Sequence, residues 1–141
     1  MKKFLVALGI CIWSYGHAQC ESDAFMDKCA GNLGGALFIK SLVIKSGEAT
    51  EAKPNNFSYV FSKGATYNLI VCDQGASADK LVVTLLDRNK QVIASNYNKK
   101  TKKFYPSLAY PCGATGVYYI ESYFQTEKAG NCGVAILGFT K

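Results

Sequence analysis

Histidine and tryptophan give a small chain much of its chemical reach, and here both fall in one short stretch. The single histidine, His17, and the single tryptophan, Trp13, lie within the first eighteen of 141 residues. That stretch reads as a cleavable signal peptide. Lys2 and Lys3 precede an apolar run from Phe4 to Tyr15, and the small residues Gly16 and Ala18 precede a cut before Gln19. The expected mature chain carries neither imidazole nor indole. This excludes Ser-His-Asp and Cys-His nucleophilic catalysis, histidine-bound metals and the indole face on which sugars stack. No cofactor is expected.

Three groups of reactive or charged side chains remain. The first is carboxylates. Glu121 with Asp79 or Asp87 would be the minimum pair for glycoside hydrolysis, but an isolated acid on a strand face ordinarily serves solubility. Asp73, Asp79, Glu48 and Glu51 lack the D-x-D-x-D spacing of a calcium loop and fall short of its six to eight oxygens, so no metal is expected. The second group is five cysteines left after Cys11 departs with the signal: Cys20, Cys29, Cys72, Cys112 and Cys132. With no C-x-x-C pair, they read as two disulfides and one spare thiol in an oxidising compartment. The third is a basic and aromatic segment, Tyr97-Asn98-Lys99-Lys100-Thr101-Lys102-Lys103-Phe104-Tyr105. Tyr97, Lys99, Lys100, Lys102, Lys103 and Tyr105 are the candidate binding residues. Their chemistry suits an anionic polysaccharide or another acidic component of a cell surface; the competing reading is a solvated hairpin loop.

The elements that position these residues are written in period two. Strands are expected at Leu37–Ile44, Phe57–Phe61, Thr66–Cys72, Lys80–Leu86, Gln91–Ser95, Phe104–Tyr110, Val117–Phe124 and Val134–Phe139, divided by Gly-, Asn- and Asp-containing turns. About eight short strands rich in Val, Ile, Tyr and Phe predict an all-β antiparallel sandwich over residues 37–141. Residues 19–36 supply a lead-in with one helical turn near Glu21–Cys29. Asp87 opens a hairpin turn in which Asn89 tolerates positive φ. Alternation puts Tyr118, Ile120 and Phe124 in the core and turns Val117, Tyr119, Glu121 and Tyr123 outward.

Strand parity orders the cysteines. If successive strands run alternately up and down, Cys72 and Cys132 share one end of the sandwich, whereas Cys112 lies at the other, where the first strand begins just after Cys29. Cys72–Cys132 and Cys29–Cys112 are therefore the expected bridges, with Cys20 unpaired; a local Cys20–Cys29 bridge is the rival.

The order FSYVFSKGATYNLIV, ADKLVVTLLDRNKQVIASN, SLAYPC and TGVYYIESYF, from Phe57 onward, resembles the bacterial pre-peptidase C-terminal domain family. The chain is also similar to small exported bacterial proteins of unknown function, and its short MKK start fits that origin. The resemblance implies a jelly-roll-like β-sandwich that acts as a non-catalytic accessory of secreted enzymes. The chain departs from the family pattern in standing behind a signal peptide rather than behind a catalytic domain.

The apolar run near the N-terminus is shorter than the roughly 20 residues of a membrane span, and no later segment is long enough, so no membrane span is expected. A lipoprotein reading fails because His17, Ala18 and Gln19 precede Cys20. Loss of Lys2 and Lys3 lowers the formal charge from +6 to +4. The sequence thus points to a protein secreted to the periplasm or medium that is not an enzyme and works as a binding or accessory module. The alternative is an assembly component that pairs through a sheet edge, and a carboxylate hydrolase is the remote one.

Overall fold

The computed structural model describes residue 20 and residues 22–73, 80–126 and 130–141. The expected signal peptide and its cut before Gln19, together with Asp79, lie outside the described residues.

A helix, α1 (Ser22–Gly31), leads into ten strands: β1 (Leu37–Lys45), β2 (Asn55–Phe61), β3 (Thr66–Asp73), β4 (Leu81–Leu86), β5 (Val92–Ser95), β6 (Tyr97–Asn98), β7 (Lys103–Phe104), β8 (Ser107–Pro111), β9 (Gly116–Phe124) and β10 (Cys132–Thr140). Eight of them form two antiparallel four-stranded sheets, ordered β1-β10-β3-β8 and β2-β9-β4-β5. The pairs nest: β4 with β5 innermost, then β3 with β8, β2 with β9, and β1 with β10. The chain is thus one long hairpin folded over into a sandwich.

The shared core draws on the inward face of each sheet: Tyr67, Leu69, Ala135 and Leu137 from one, and Phe61, Leu81, Val83, Leu85, Tyr118, Ile120 and Phe124 from the other. Phe61 stacks on Tyr67 at 3.7 Å and on Tyr118 at 4.7 Å between ring centres. The alternation expected in β9 holds: Tyr118, Ile120, Ser122 and Phe124 are buried, while Val117, Tyr119, Glu121 and Tyr123 are more exposed.

A second apolar layer lies on the outer face of the first sheet. Ile70, Val134 and Ile136 pack there against Cys29, Met26, Ala30 and Leu33 of α1 and its exit. Strand β10 is consequently covered on both sides. A Cβ added to Gly133 would come within 2.7 Å of Leu81 from the opposite sheet, and one added to Gly138 within 2.7 Å of Leu33 from the α1 exit. A helix of 10 residues is too short to persist alone in water. Two disulfides hold it in place, Cys20–Cys132 and Cys29–Cys72, with Cα separations of 5.6 and 5.9 Å.

These bridges correct the expected pairing. Cys72 and Cys132 do share an end, since Val134 lies opposite Cys72. However, each takes its partner from the N-terminal segment, so neither Cys72–Cys132 nor Cys29–Cys112 forms, and Cys20 is bonded without the local Cys20–Cys29 bridge. Strand parity placed Cys29 where β1 begins. In fact the residues between Cys29 and Leu37 run back along the outer face of the sheet, so Cys29 sits at the end where β3 finishes. Among the described residues Cys112 is the unpaired thiol, buried in the core beside Tyr118.

Two local expectations also shift. The segment Phe104–Tyr110 divides into β7 and β8, because Pro106 has no N–H to donate to a ladder. In the β4–β5 turn Asp87 accepts hydrogen bonds from the amides of Asn89 (2.8 Å) and Gln91 (2.9 Å), and it is Lys90, with φ 62°, that takes the left-handed conformation.

Non-reducing peptide mapping is expected to recover the Cys20–Cys132 and Cys29–Cys72 peptides, with Cys112 labelled only after denaturation. Replacing Cys29 and Cys72 by serine opens a link across 43 residues and should lower the unfolding free energy by about 4 kcal/mol in a denaturant titration.

Candidate functional site

The basic segment is a hairpin that leaves the second sheet at Asn96. This residue is 2% exposed and replaces a strand partner with its side chain. Its Oδ1 accepts from the Val83 amide at 2.7 Å, its Nδ2 donates to the Leu81 carbonyl at 3.0 Å, and its own amide donates to the Val83 carbonyl at 3.0 Å. Its carbonyl then accepts from the Tyr105 amide at 2.7 Å, closing the base of the hairpin. Between these fastenings β6 pairs with β7, and Tyr97 stacks on Phe104 at 4.4 Å. At the tip, Asn98 Oδ1 accepts from the amides of Lys100 and Thr101, and Lys102 adopts φ 54°. The loop is tied at both ends and carries a ring stack between them.

The six residues singled out from sequence do not converge on one point. Lys100, Lys102 and Lys103 are exposed along the tip and one strand. Lys99 forms an ion pair with Glu51, whose hydrogen bond and charge raise the lysine pKa. Tyr97 and Lys99 face a groove of about 370 Å³ on the outer face of the second sheet, with Glu121, Tyr123, Thr84 and Ser95 on its floor and walls. Burial, reinforced by the Glu51 carboxylate, raises the Tyr123 pKa. Glu121 accepts a hydrogen bond from Asn56 Nδ2 at 3.2 Å. Tyr105, 47% exposed, lies on the other side of the hairpin. There Tyr105 and Phe104 join Lys28, Asn32, Lys80 and Asp73 around a groove of about 410 Å³ between α1 and the hairpin. The Lys80 ammonium lies 5.7 Å from the centre of the Phe104 ring.

Lys28, Asn32, Lys80 and Asn96 were not legible as site residues. Lys28 and Asn32 enter because α1 is pinned beside the end of β3, which depends on the disulfide pairing. Among the described residues no three His, Cys, Asp or Glu side chains gather as a metal site would require. No helix among them is long and apolar enough to cross a membrane.

No protein-family model matches the chain, and no curated protein matches it. Among solved structures, it is similar to the Aeromonas hydrophila PliG, a periplasmic lysozyme inhibitor of g-type lysozyme, with 14% identity and a TM-score of 0.47 over 75% of this chain and 89% of that one. A likeness of that degree carries no inference about residues or partners.

Substituting Asn96 by leucine would strand the Val83 amide and Leu81 carbonyl in the core. The expected cost is about 2–4 kcal/mol of stability, with amide exchange accelerating from Asn96 to Tyr105 more than in β10. Tyr118 titrates above the ordinary tyrosine range, chiefly through its hydrogen bond with Tyr110 and then through burial. The folded state therefore keeps its proton when the unfolded chain has lost it. Its contribution is full below pH ~10 and declines as pH rises above that value. In alkaline unfolding, Tyr118→Phe should flatten this decline.

Proposed function

We propose that the protein is an exported, non-catalytic binding module that contacts an acidic polysaccharide through the β6–β7 hairpin and the groove between it and α1. The observation that carries this reading is the mounting of the hairpin. Asn96 and the Tyr97–Phe104 stack fasten the backbone from which the exposed Lys100, Lys102 and Lys103 project, with Lys28, Lys80 and Tyr105 along one flank. A fastened hairpin backbone spares the cost of ordering the loop when its lysines meet a polyanion, and a tyrosine beside them offers a flat face to a sugar ring.

Two disulfides suit an oxidising compartment outside the cytoplasm, in keeping with the signal peptide read from the N-terminus. The resemblance of the strand motifs to pre-peptidase C-terminal domains supports the same accessory role. A carboxylate hydrolase finds less support. Asp87 is committed to capping its turn, Glu51 to Lys99, and Glu121 is hydrogen-bonded to Asn56.

Chromatography on immobilised heparin, with neutral dextran as control, tests the reading. The protein should be retained on heparin alone and elute with rising salt. Changing Lys99, Lys100, Lys102 and Lys103 together to serine should weaken binding at least about tenfold and reduce its salt dependence. Equal retention of that variant would overturn the proposal.

A further inference from the structure

At the end of the sandwich away from the hairpin, the two sheets leave a groove between the start of β1, the second half of β2 and the end of β10. Its volume of about 540 Å³ is within the range of small-molecule sites. Both sheets line it: Tyr59 and Val60 come from one, and Ile39, Tyr67 and Phe139 from the other. Tyr67 and Phe139 stack with 6.1 Å between ring centres, and Tyr59 stands edge-on to Phe61 at 6.2 Å. Leu37, opposite Phe139 in the β1–β10 ladder and 61% exposed, extends the apolar surface. Farther along the same edge the Lys40 ammonium lies 4.6 Å from the Phe57 ring centre, bridging β1 to β2, and the groove stops short of that contact.

Polar groups are distributed unevenly around this groove. The segment from Ser62 to Ala65 forms one wall, and its four amides are all spent inside the protein. Ser62 donates to the Tyr67 hydroxyl (2.8 Å), Lys63 to Thr115 Oγ1 (2.9 Å), Gly64 to the Cys112 carbonyl (2.9 Å) and Ala65 to the Ser62 carbonyl (3.3 Å). Lys63 and Lys141, both exposed, also line the groove, and no acidic residue does. Among the described residues neither lysine forms an ion pair.

We infer that this groove binds a single anionic amphiphile of the fatty-acid class, its alkyl chain against Ile39, Tyr59 and Phe139 and its carboxylate beside Lys63 and Lys141. A peptide laid there would find no free amide on the loop wall for its carbonyls, whereas an alkyl chain has no backbone to satisfy. The two lysines fix the sign of the head group, because a cation would meet like charge and no carboxylate. A concave site between two sheets takes one free molecule rather than the face of a bilayer. The groove shares no residue with the hairpin or the groove beside α1, so the inference stands apart from polyanion binding.

Calorimetric titration of the purified protein with decanoate below its micelle concentration tests the inference, with amide and methyl NMR to place the ligand. Decanoate should saturate one site and shift Ile39, Val60 and Phe139. Octanoate should bind about tenfold more weakly, following the loss of two methylenes. Decyltrimethylammonium, with the same tail and the opposite charge, should bind at least about tenfold more weakly than decanoate, as should decanoate to the Lys63→Gln, Lys141→Gln double variant. That variant should keep its retention on heparin. No binding of decanoate up to about 1 mM, equal binding of the cation or by the double variant, or shifts centred away from the groove would each overturn the inference.

Discussion

Strand β10 has to be dry on both faces, and much else in the molecule follows from that constraint. Ala135 and Leu137 belong to the core between the sheets, and Val134 and Ile136 to the layer beneath α1. A two-sided apolar strand in an antiparallel sandwich needs a cover that the sheets cannot provide. The N-terminal segment is that cover. It is too short to hold a helix by local hydrogen bonds, so two disulfides tie it to the start of β10 and to the end of β3. Gly133 and Gly138 let the two layers close on the strand from opposite sides.

The same fastening sets up the surface. With α1 held beside the end of β3, Lys28 and Asn32 face Phe104 and Tyr105 across a groove that exists only because both walls are anchored. The opposite wall depends on Asn96, a buried carboxamide that ends the β4–β5 pairing and lets the chain turn outward with its backbone groups satisfied. A polar residue in the core thus trades a strand position for a projecting hairpin.

Period-two alternation made the sandwich legible: Leu37, Phe61, Thr66, Leu86, Ser95 and Phe124 each bound an observed strand as they bound an expected one. The faces of β9 followed from the cost of burying Glu121. Pairing of the cysteines was not legible, because parity along the strands says nothing of a segment that doubles back outside them. The continuous apolar run Val134-Ala135-Ile136-Leu137 did hold a signal of two-sided burial, since a half-buried strand alternates. Asn96 had no such signal. An asparagine between Ser95 and Tyr97 reads as a turn, and only the stranded amide of Val83 and carbonyl of Leu81 explain its burial.

On the proposed reading, the scaffold presents the hairpin and the groove beside α1 to an acidic polymer. Residue-resolved NMR titration with a size-defined heparin oligosaccharide tests it most directly. The account predicts shifts confined to Lys28, Asn32, Lys80 and the segment from Tyr97 to Tyr105. Shifts absent throughout, or centred on residues at the opposite end such as Lys63, Thr115 and Lys141, would contradict it.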